Sequence, residues 1–199
     1  MKRIVRIFFL AIVSMQAFTC GDPSGRSEPY VSKDPHSFSR PDEIAVTHLD
    51  LDVTVDFDRK QIYGCASYTL DNKTGATALY LDTRALSISR VTVDDEEKET
   101  KFVLGDSSEI LGRALKINVT PGAKTVHIYY TTTDKADALQ WLGPAQTEGK
   151  KKPFLFTQSQ PILARTWIPC QDSPGIRMTY HAKIRCPADL MAVMSAENP

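Results

Sequence analysis

From His48 to Phe57 the chain alternates without a break. Leu49, Leu51, Val53, Val55 and Phe57 are apolar, and His48, Asp50, Asp52, Thr54 and Asp56 stand between them. A repeat of two puts the first set on one face of an extended strand and the second on the other; a helix would scatter both sets around its axis. The spacing predicts a strand with one face buried. Asp58-Arg59-Lys60 reads as a turn, and Ile62 to Leu70 as the partner strand, with Tyr63, Cys65, Ser67 and Thr69 opposite Ile62, Ala66, Tyr68 and Leu70. Asp71 to Gly75 is a polar turn ending in glycine. The pattern then repeats in short runs. Strands are expected at Ala78–Leu81, Leu86–Val93, Lys101–Leu104, Leu115–Val119, Val126–Tyr130 and Ile176–Ile184, with Pro121-Gly122 as a strong turn signal. Short strands broken by turns about every ten residues predict an all-β sandwich or barrel. Asp134 to Leu142 is the one stretch read as holding a helical turn. Asp94 to Glu99, a charge run, is expected to be a solvated hairpin tip, and Lys150-Lys151-Lys152 a loop.

The start of the chain has a different grammar. Lys2, Arg3 and Arg6 form a positive head, Ile7 to Val13 are all apolar, and Met15, Ala17 and Phe18 carry the run toward Cys20. This describes a secretory signal over residues 1–19, too short for a comfortable membrane span of about 20 residues. Cys20 begins a polar tether of Gly, Asp, Pro, Ser and Arg, and residues 20–43 read as linker. The arrangement resembles a bacterial lipoprotein signal, in which such a cysteine becomes the lipidated first residue. Leu three residues before the cysteine and Gly or Ala just before it are the usual choices; here Ala17 and Thr19 hold those places. The expectation is export to the periplasm, outer membrane or cell surface, with membrane attachment through Cys20. A plain cleaved signal with an incidental cysteine is the alternative.

The 24 basic and 24 acidic side chains balance only because of that segment. Residues 1–19 hold three basic side chains and no acidic ones, so the remainder carries 21 against 24, a net charge of −3. A mildly acidic domain gives no reason to expect a nucleic-acid partner. Besides Cys20 there are Cys65, Cys170 and Cys186. In an oxidising compartment two of them can pair and leave one thiol over, and equally all three fit as small buried apolar residues.

Residues 139–174 are unlike the rest. They include Leu139-Gln140-Trp141-Leu142, Phe156-Thr157-Gln158-Ser159-Gln160, and Ala164-Arg165-Thr166-Trp167-Ile168-Pro169-Cys170-Gln171-Asp172-Ser173-Pro174, and they hold both tryptophans of the chain. Gln158 and Gln160 are two apart, so on a strand they would share a face. An amide side chain both donates and accepts, which suits gripping a peptide backbone or an amine; satisfying buried loop groups is the plainer role.

These motifs resemble the amino-terminal domain of the peptidase family M1 zinc aminopeptidases, most closely the leukotriene A4 hydrolase branch. Thr47-His48-Leu49-Asp50-Leu51-Asp52-Val53 is similar to that family's first strand, Arg177 to Tyr180 and Leu190 to Ser195 continue the match, and the resemblance covers roughly residues 34–199. It implies a saddle-shaped, β-sandwich-like domain over residues 44–199 that packs on a thermolysin-like catalytic domain and walls one side of its cleft. It also implies a site: Gln160 binds the free amino end of a peptide together with a glutamate of the catalytic domain, and Gln158 supports the same wall. Arg165, Cys170 and Asp172 are then structural, a charged pair and a turn behind the glutamines.

The family's chemistry needs His-Glu-x-x-His on a helix, with the two histidines on one face as zinc ligands and the glutamate activating water. The sequence has no such motif, and His36, His48, His127 and His181 are scattered. The expectation is no cofactor in this chain and zinc in a catalytic domain beyond it. Two functions follow: the substrate-cleft domain of a secreted or lipid-anchored aminopeptidase, present as a fragment, or a stand-alone lipoprotein β-sandwich that binds a partner without catalysis.

Overall fold

The alternating run is strand β1 (Ile44–Asp56), and it pairs antiparallel with β2 (Gln61–Asn72) through the turn at Asp58–Lys60. The computed structural model describes residues 34–198; the basic head, the apolar run and Cys20 lie outside the described residues. Leu49, Leu51 and Val53 are buried, as are Ile62, Ala66, Tyr68 and Leu70 across the ladder. Upstream, the buried residues are Ile44 and Val46, on the other parity. The register shifts between Val46 and His48, so Thr47 is an extra residue. This bulge lets both parities reach one core.

At Gly64 the backbones of β1 and β2 leave no room for a side chain. The Gly64 φ is +153°, and a Cβ there would stand 2.2 Å from the Asp52 carbonyl oxygen. Only glycine fits that contact.

The remaining strands are β3 (Ala78–Thr83), β4 (Leu86–Val93), β5 (Asp95–Glu99), β6 (Phe102–Leu104), β7 (Arg113–Asn118), β8 (Thr125–Thr132), β9 (Leu139–Leu142), β10 (Phe154–Thr157) and β11 (Thr179–Arg185). They form three open sheets: β11-β1-β2-β8-β4-β5, β3-β7-β6 and β10-β9. Val126, Ile128 and Tyr130 of β8 share one core with Leu79 and Leu81 of β3 and Leu115 and Ile117 of β7. Each fully buried aliphatic side chain contributes on the order of 1.5–3 kcal/mol. The all-β expectation holds.

β11 joins β1 in parallel, at the edge of the large sheet. Its solvent-facing side chains are His181, Lys183 and Arg185, set against Asp50 and Asp52 of β1. Arg185 pairs with Asp52, and His181 Nδ1 lies 3.6 Å from Asp50 Oδ1. Tyr180, Ala182 and Ile184 on the other face are only partly buried. Opposite charge across the ladder therefore supports a strand that burial holds weakly.

Two local expectations are corrected. The run Asp94–Glu99 is an exposed edge strand, β5, with Asp94 alone at the turn in a left-handed conformation (φ 61°). Charged side chains suit an edge because they discourage pairing with another chain. Asp134 to Leu142 holds no helical turn: the chain turns, with Leu139 N donating to Ala136 O, and enters β9. The apolar run Leu190–Ser195 has no ladder partner and is not a strand; Met191 and Val193 stand exposed.

Candidate functional site

The motif region is built on a buried arginine. The Arg165 side chain is fully buried in a short 3-10 helix (Ala164–Thr166) that follows the glutamine loop. Its Nε donates to Asp172 Oδ2 at 2.9 Å, one Nη to Leu111 O at 3.0 Å, and the other to His36 O at 2.8 Å and Asp172 O at 3.1 Å. A guanidinium has five donors in a fixed fork, and burial is tolerable only when they are used. The charged pair expected between Arg165 and Asp172 is present. A third member, Asp82 of β3, lies 3.7 Å from Arg165 and is itself fully buried. Burial pushes the Asp82 carboxyl up, and donation from the Ser37 hydroxyl, Phe38 N–H and Asp172 N–H and the charge of Arg165 pull against it. Ser37 Oγ is 2.6 Å away, Phe38 N 2.7 Å and Asp172 N 3.0 Å. This network ties the entering segment at His36–Phe38, the sheet at Asp82 and the motif at Asp172 to one point. Sequence reasoning missed Asp82 because an aspartate on a strand carries no local sign of what it will meet.

Cys170 and Gln171 have equally structural places. Cys170 forms an isolated bridge with Asp82, donating N–H to Asp82 O at 3.2 Å and accepting from Asp82 N at 2.7 Å. Burial raises its thiol well above the ordinary range, as for a structural cysteine in the core. Gln171 Oε1 accepts from Val46 N at 3.1 Å and its Nε2 donates to Ile44 O at 2.8 Å. That amide takes the place of a neighbouring strand for the part of β1 that β11 does not reach. Tyr68 closes the set by donating its hydroxyl to Pro169 O at 2.7 Å.

On this base sits the loop with the two glutamines. β10 pairs with β9 up to Thr157–Leu139, and Gln158 N adds one more bond to Ala138 O at 2.8 Å. The chain then leaves the ladder, so the glutamines are not on a strand as their spacing suggested. They nevertheless both point outward: Gln158 and Gln160 are exposed and Ser159 between them is half-buried. Gln160 N donates to Gln158 Oε1 at 3.1 Å. The Gln160–Pro161 peptide is cis.

Beside the loop lies an open apolar cleft of about 380 Å³. Val53 and Val55 of β1, Phe154 and Phe156 of β10, Trp167 and the Leu190–Met194 run line it. Phe154, Phe156, Met191 and Val193 are all exposed large apolar side chains, and the two phenyl rings stand 6.1 Å apart. They make one contiguous apolar surface open to solvent.

Among the described residues, no group of three or more His, Cys, Asp or Glu side chains is placed to hold a metal ion. Cys65, Cys170 and Cys186 are three separate free thiols.

Comparison with known proteins agrees with the geometry. The chain is 38% identical over 169 residues to leukotriene A-4 hydrolase of Xenopus laevis, covering 82% of this chain and 27% of that protein. It is 34% identical over 167 residues to leucine aminopeptidase 2 of Sclerotinia sclerotiorum, covering 80% and 27%. Yeast LTA4 hydrolase, solved with bestatin, superimposes with a TM-score of 0.73 at 34% identity over 83% of this chain and 26% of that one. An M1 zinc metallopeptidase of Deinococcus radiodurans shares the fold, with a TM-score of 0.57 at 17% identity over 80% of this chain and 38% of that one. The chain thus spans about a quarter of the length of the relatives it matches. Residues 45–198 match the model of the Peptidase M1 N-terminal domain, and the chain belongs to that family.

Proposed function

We propose that this chain is the substrate-cleft domain of an exported zinc aminopeptidase, held to a membrane through a lipid on Cys20. Gln160 is the residue that meets the substrate. Its side-chain oxygen accepts from the free amino end of a peptide, and Gln158 supports the same wall. An ammonium offers only N–H donors, so an exposed amide oxygen and a carboxylate from the catalytic portion make a fitting cage. The observation that carries this reading is the outward presentation of both glutamines on a loop braced by a fully buried arginine network. The apolar cleft beside the loop docks the catalytic portion, where the zinc and the hydrolytic groups reside.

Three measurements test it. The reading frame beyond Pro199 is expected to encode His-Glu-x-x-His within roughly one domain's length, about 150 residues. A stop codon in intact genomic DNA would favour the stand-alone binding module instead. In the complete enzyme, Gln160→Ala is expected to impair cleavage at peptide amino termini, and unchanged kinetics on such peptides would sink the site assignment. For the anchor, Cys20→Ser should move the protein from the membrane fraction to the soluble exported fraction; an unaltered distribution would count against lipidation.

A further inference from the structure

The loop that carries the glutamines is held by a residue between them. Ser159 turns inward where its neighbours turn outward, and its Oγ accepts from the indole Nε1 of Trp167 at 3.2 Å. Trp167 is 9% exposed and sits in the wall of the apolar cleft. Its indole can only donate, so it must find an acceptor on the side it faces. The Ser159 carbonyl is bound as well, accepting from Leu163 N at 2.8 Å, which closes the turn over Gln160–Ile162. Thr166 fixes the base of the same turn: its Oγ1 donates to Leu163 O at 2.8 Å and accepts from Ala138 N at 3.0 Å. Ala138 in turn receives the last ladder bond from Gln158 N.

We infer that the Ser159–Trp167 hydrogen bond positions Gln160 for the substrate's amino end. The inference rests on the role proposed above for Gln160. At this turn Ser159 is held by both its hydroxyl and its carbonyl, and the exposed side chains of Gln158 and Gln160 flank that anchored residue. The inward anchor therefore sets the direction of Gln160 without touching the substrate. Gln158 takes a second part in this: its side-chain oxygen already accepts the Gln160 N–H, so it is turned onto its own loop. With one lone pair of the Gln158 oxygen already engaged within the loop, the Gln160 oxygen is the better placed of the two to receive an ammonium. Ser159 and Trp167 are positioning residues, and their effect is felt in binding ahead of turnover.

The test compares Gln160→Ala, Ser159→Ala, Ser159→Thr and Trp167→Phe in the complete enzyme. It is paired with amide hydrogen exchange on the 199-residue chain. Ser159→Ala and Trp167→Phe are each expected to raise KM for amino-terminal peptides about 2- to 10-fold, the factor that one neutral hydrogen bond commands. The turnover number kcat should stay within about twofold by the same reasoning, because binding rather than the barrier is altered. Ser159→Thr keeps the hydroxyl and should restore the wild-type KM. Exchange at Gln160 N–H should quicken in the first two variants while Ala66, in the middle of β2, stays protected. Two outcomes overturn the inference alone: Gln160→Ala raises KM but neither Ser159→Ala nor Trp167→Phe does, or their KM rises with no change at the Gln160 amide. An unchanged KM in Gln160→Ala removes the proposed function and this inference with it. Should one substitution unfold the domain, the other reads the same bond from its opposite end.

Discussion

Arg165 and Asp172 are joined three times: Nε and the backbone N–H donate to the Asp172 carboxylate at 2.9 Å and 3.3 Å, and one Nη donates to the Asp172 carbonyl at 3.1 Å. The motif thereby becomes a closed turn, with both ends of the Arg165–Asp172 segment fixed and Cys170 and Gln171 held toward the sheet. A buried charge pair has little net effect compared with an apolar pair of the same shape, but loss of one partner is costly because the other stays buried and charged.

Arg165→Met is accordingly expected to lower stability by about 3–5 kcal/mol, since it strands the buried Asp82 carboxyl and frees Asp172. Urea denaturation of the chain measures this. A loss below about 1 kcal/mol, the scale of an exposed pair, would contradict the network's structural role.

Gly64→Ala places a Cβ 2.2 Å from Asp52 O and 2.7 Å from Val53 Cα, at a φ that L-residues rarely adopt. The backbone of β1 cannot yield as a flexible side chain would. A destabilisation exceeding about 1 kcal/mol is expected, with the β1–β2 amides exchanging fastest. Thermal unfolding and hydrogen exchange check it; a variant as stable as wild type would mean that β1 and β2 do not approach so closely.

Acid should loosen the β11 edge. A hydrogen bond from Arg185 holds the Asp52 carboxyl below the ordinary value of 3.8. At Asp94 burial alone would raise the carboxyl, but the Lys124 and Thr125 N–H groups bring it below that value. A depressed folded-state pKa means that the unfolded chain takes up protons first. The stabilisation from these two groups is therefore complete above the unfolded value and fades as pH falls through the folded ones. Stability measured between pH 5 and about pH 2, around the ordinary aspartate range, should fall less steeply in Asp52→Asn than in wild type. Identical slopes would show that the Asp52–Arg185 pair does not form in solution.

Thiol reagents should discriminate among the cysteines. Burial raises both Cys170, strongly, and Cys65. Cys170 lies in the core, while Cys65 and Cys186 are partly exposed. In native buffer Cys170 is expected to stay unmodified until the protein unfolds, and Cys65 and Cys186 to react slowly before that. Peptide mass mapping after timed alkylation reads the order, and early modification of Cys170 would contradict its place beneath Asp82.

The fold was legible where a strand buries one face. At β1, β2, β7 and β8 the alternation names the core residues directly, because side chains two apart must share a face. It failed where pairing partners decide. Asp95–Glu99 has the composition of a tip, yet β4 offers an edge and the backbone takes it. Leu190–Ser195 has the composition of a strand, yet no neighbouring strand meets it among the described residues. Gln158 and Gln160 were marked by their motif, and their outward presentation survives although the strand ends at Thr157.

By itself, the sequence determined the all-β class, the faces of the long strands and the segment on which function concentrates. Those follow from local periodicity and from side-chain chemistry carried within a few residues. Only the tertiary structure decided what holds that segment. Asp82 reaches Arg165 and Asp172 across some 90 residues of chain, Gln171 completes a strand 125 residues before it, and Ser159 finds its indole partner around a turn. A buried donor takes whatever acceptor the packed chain brings near, and sequence order does not record that distance.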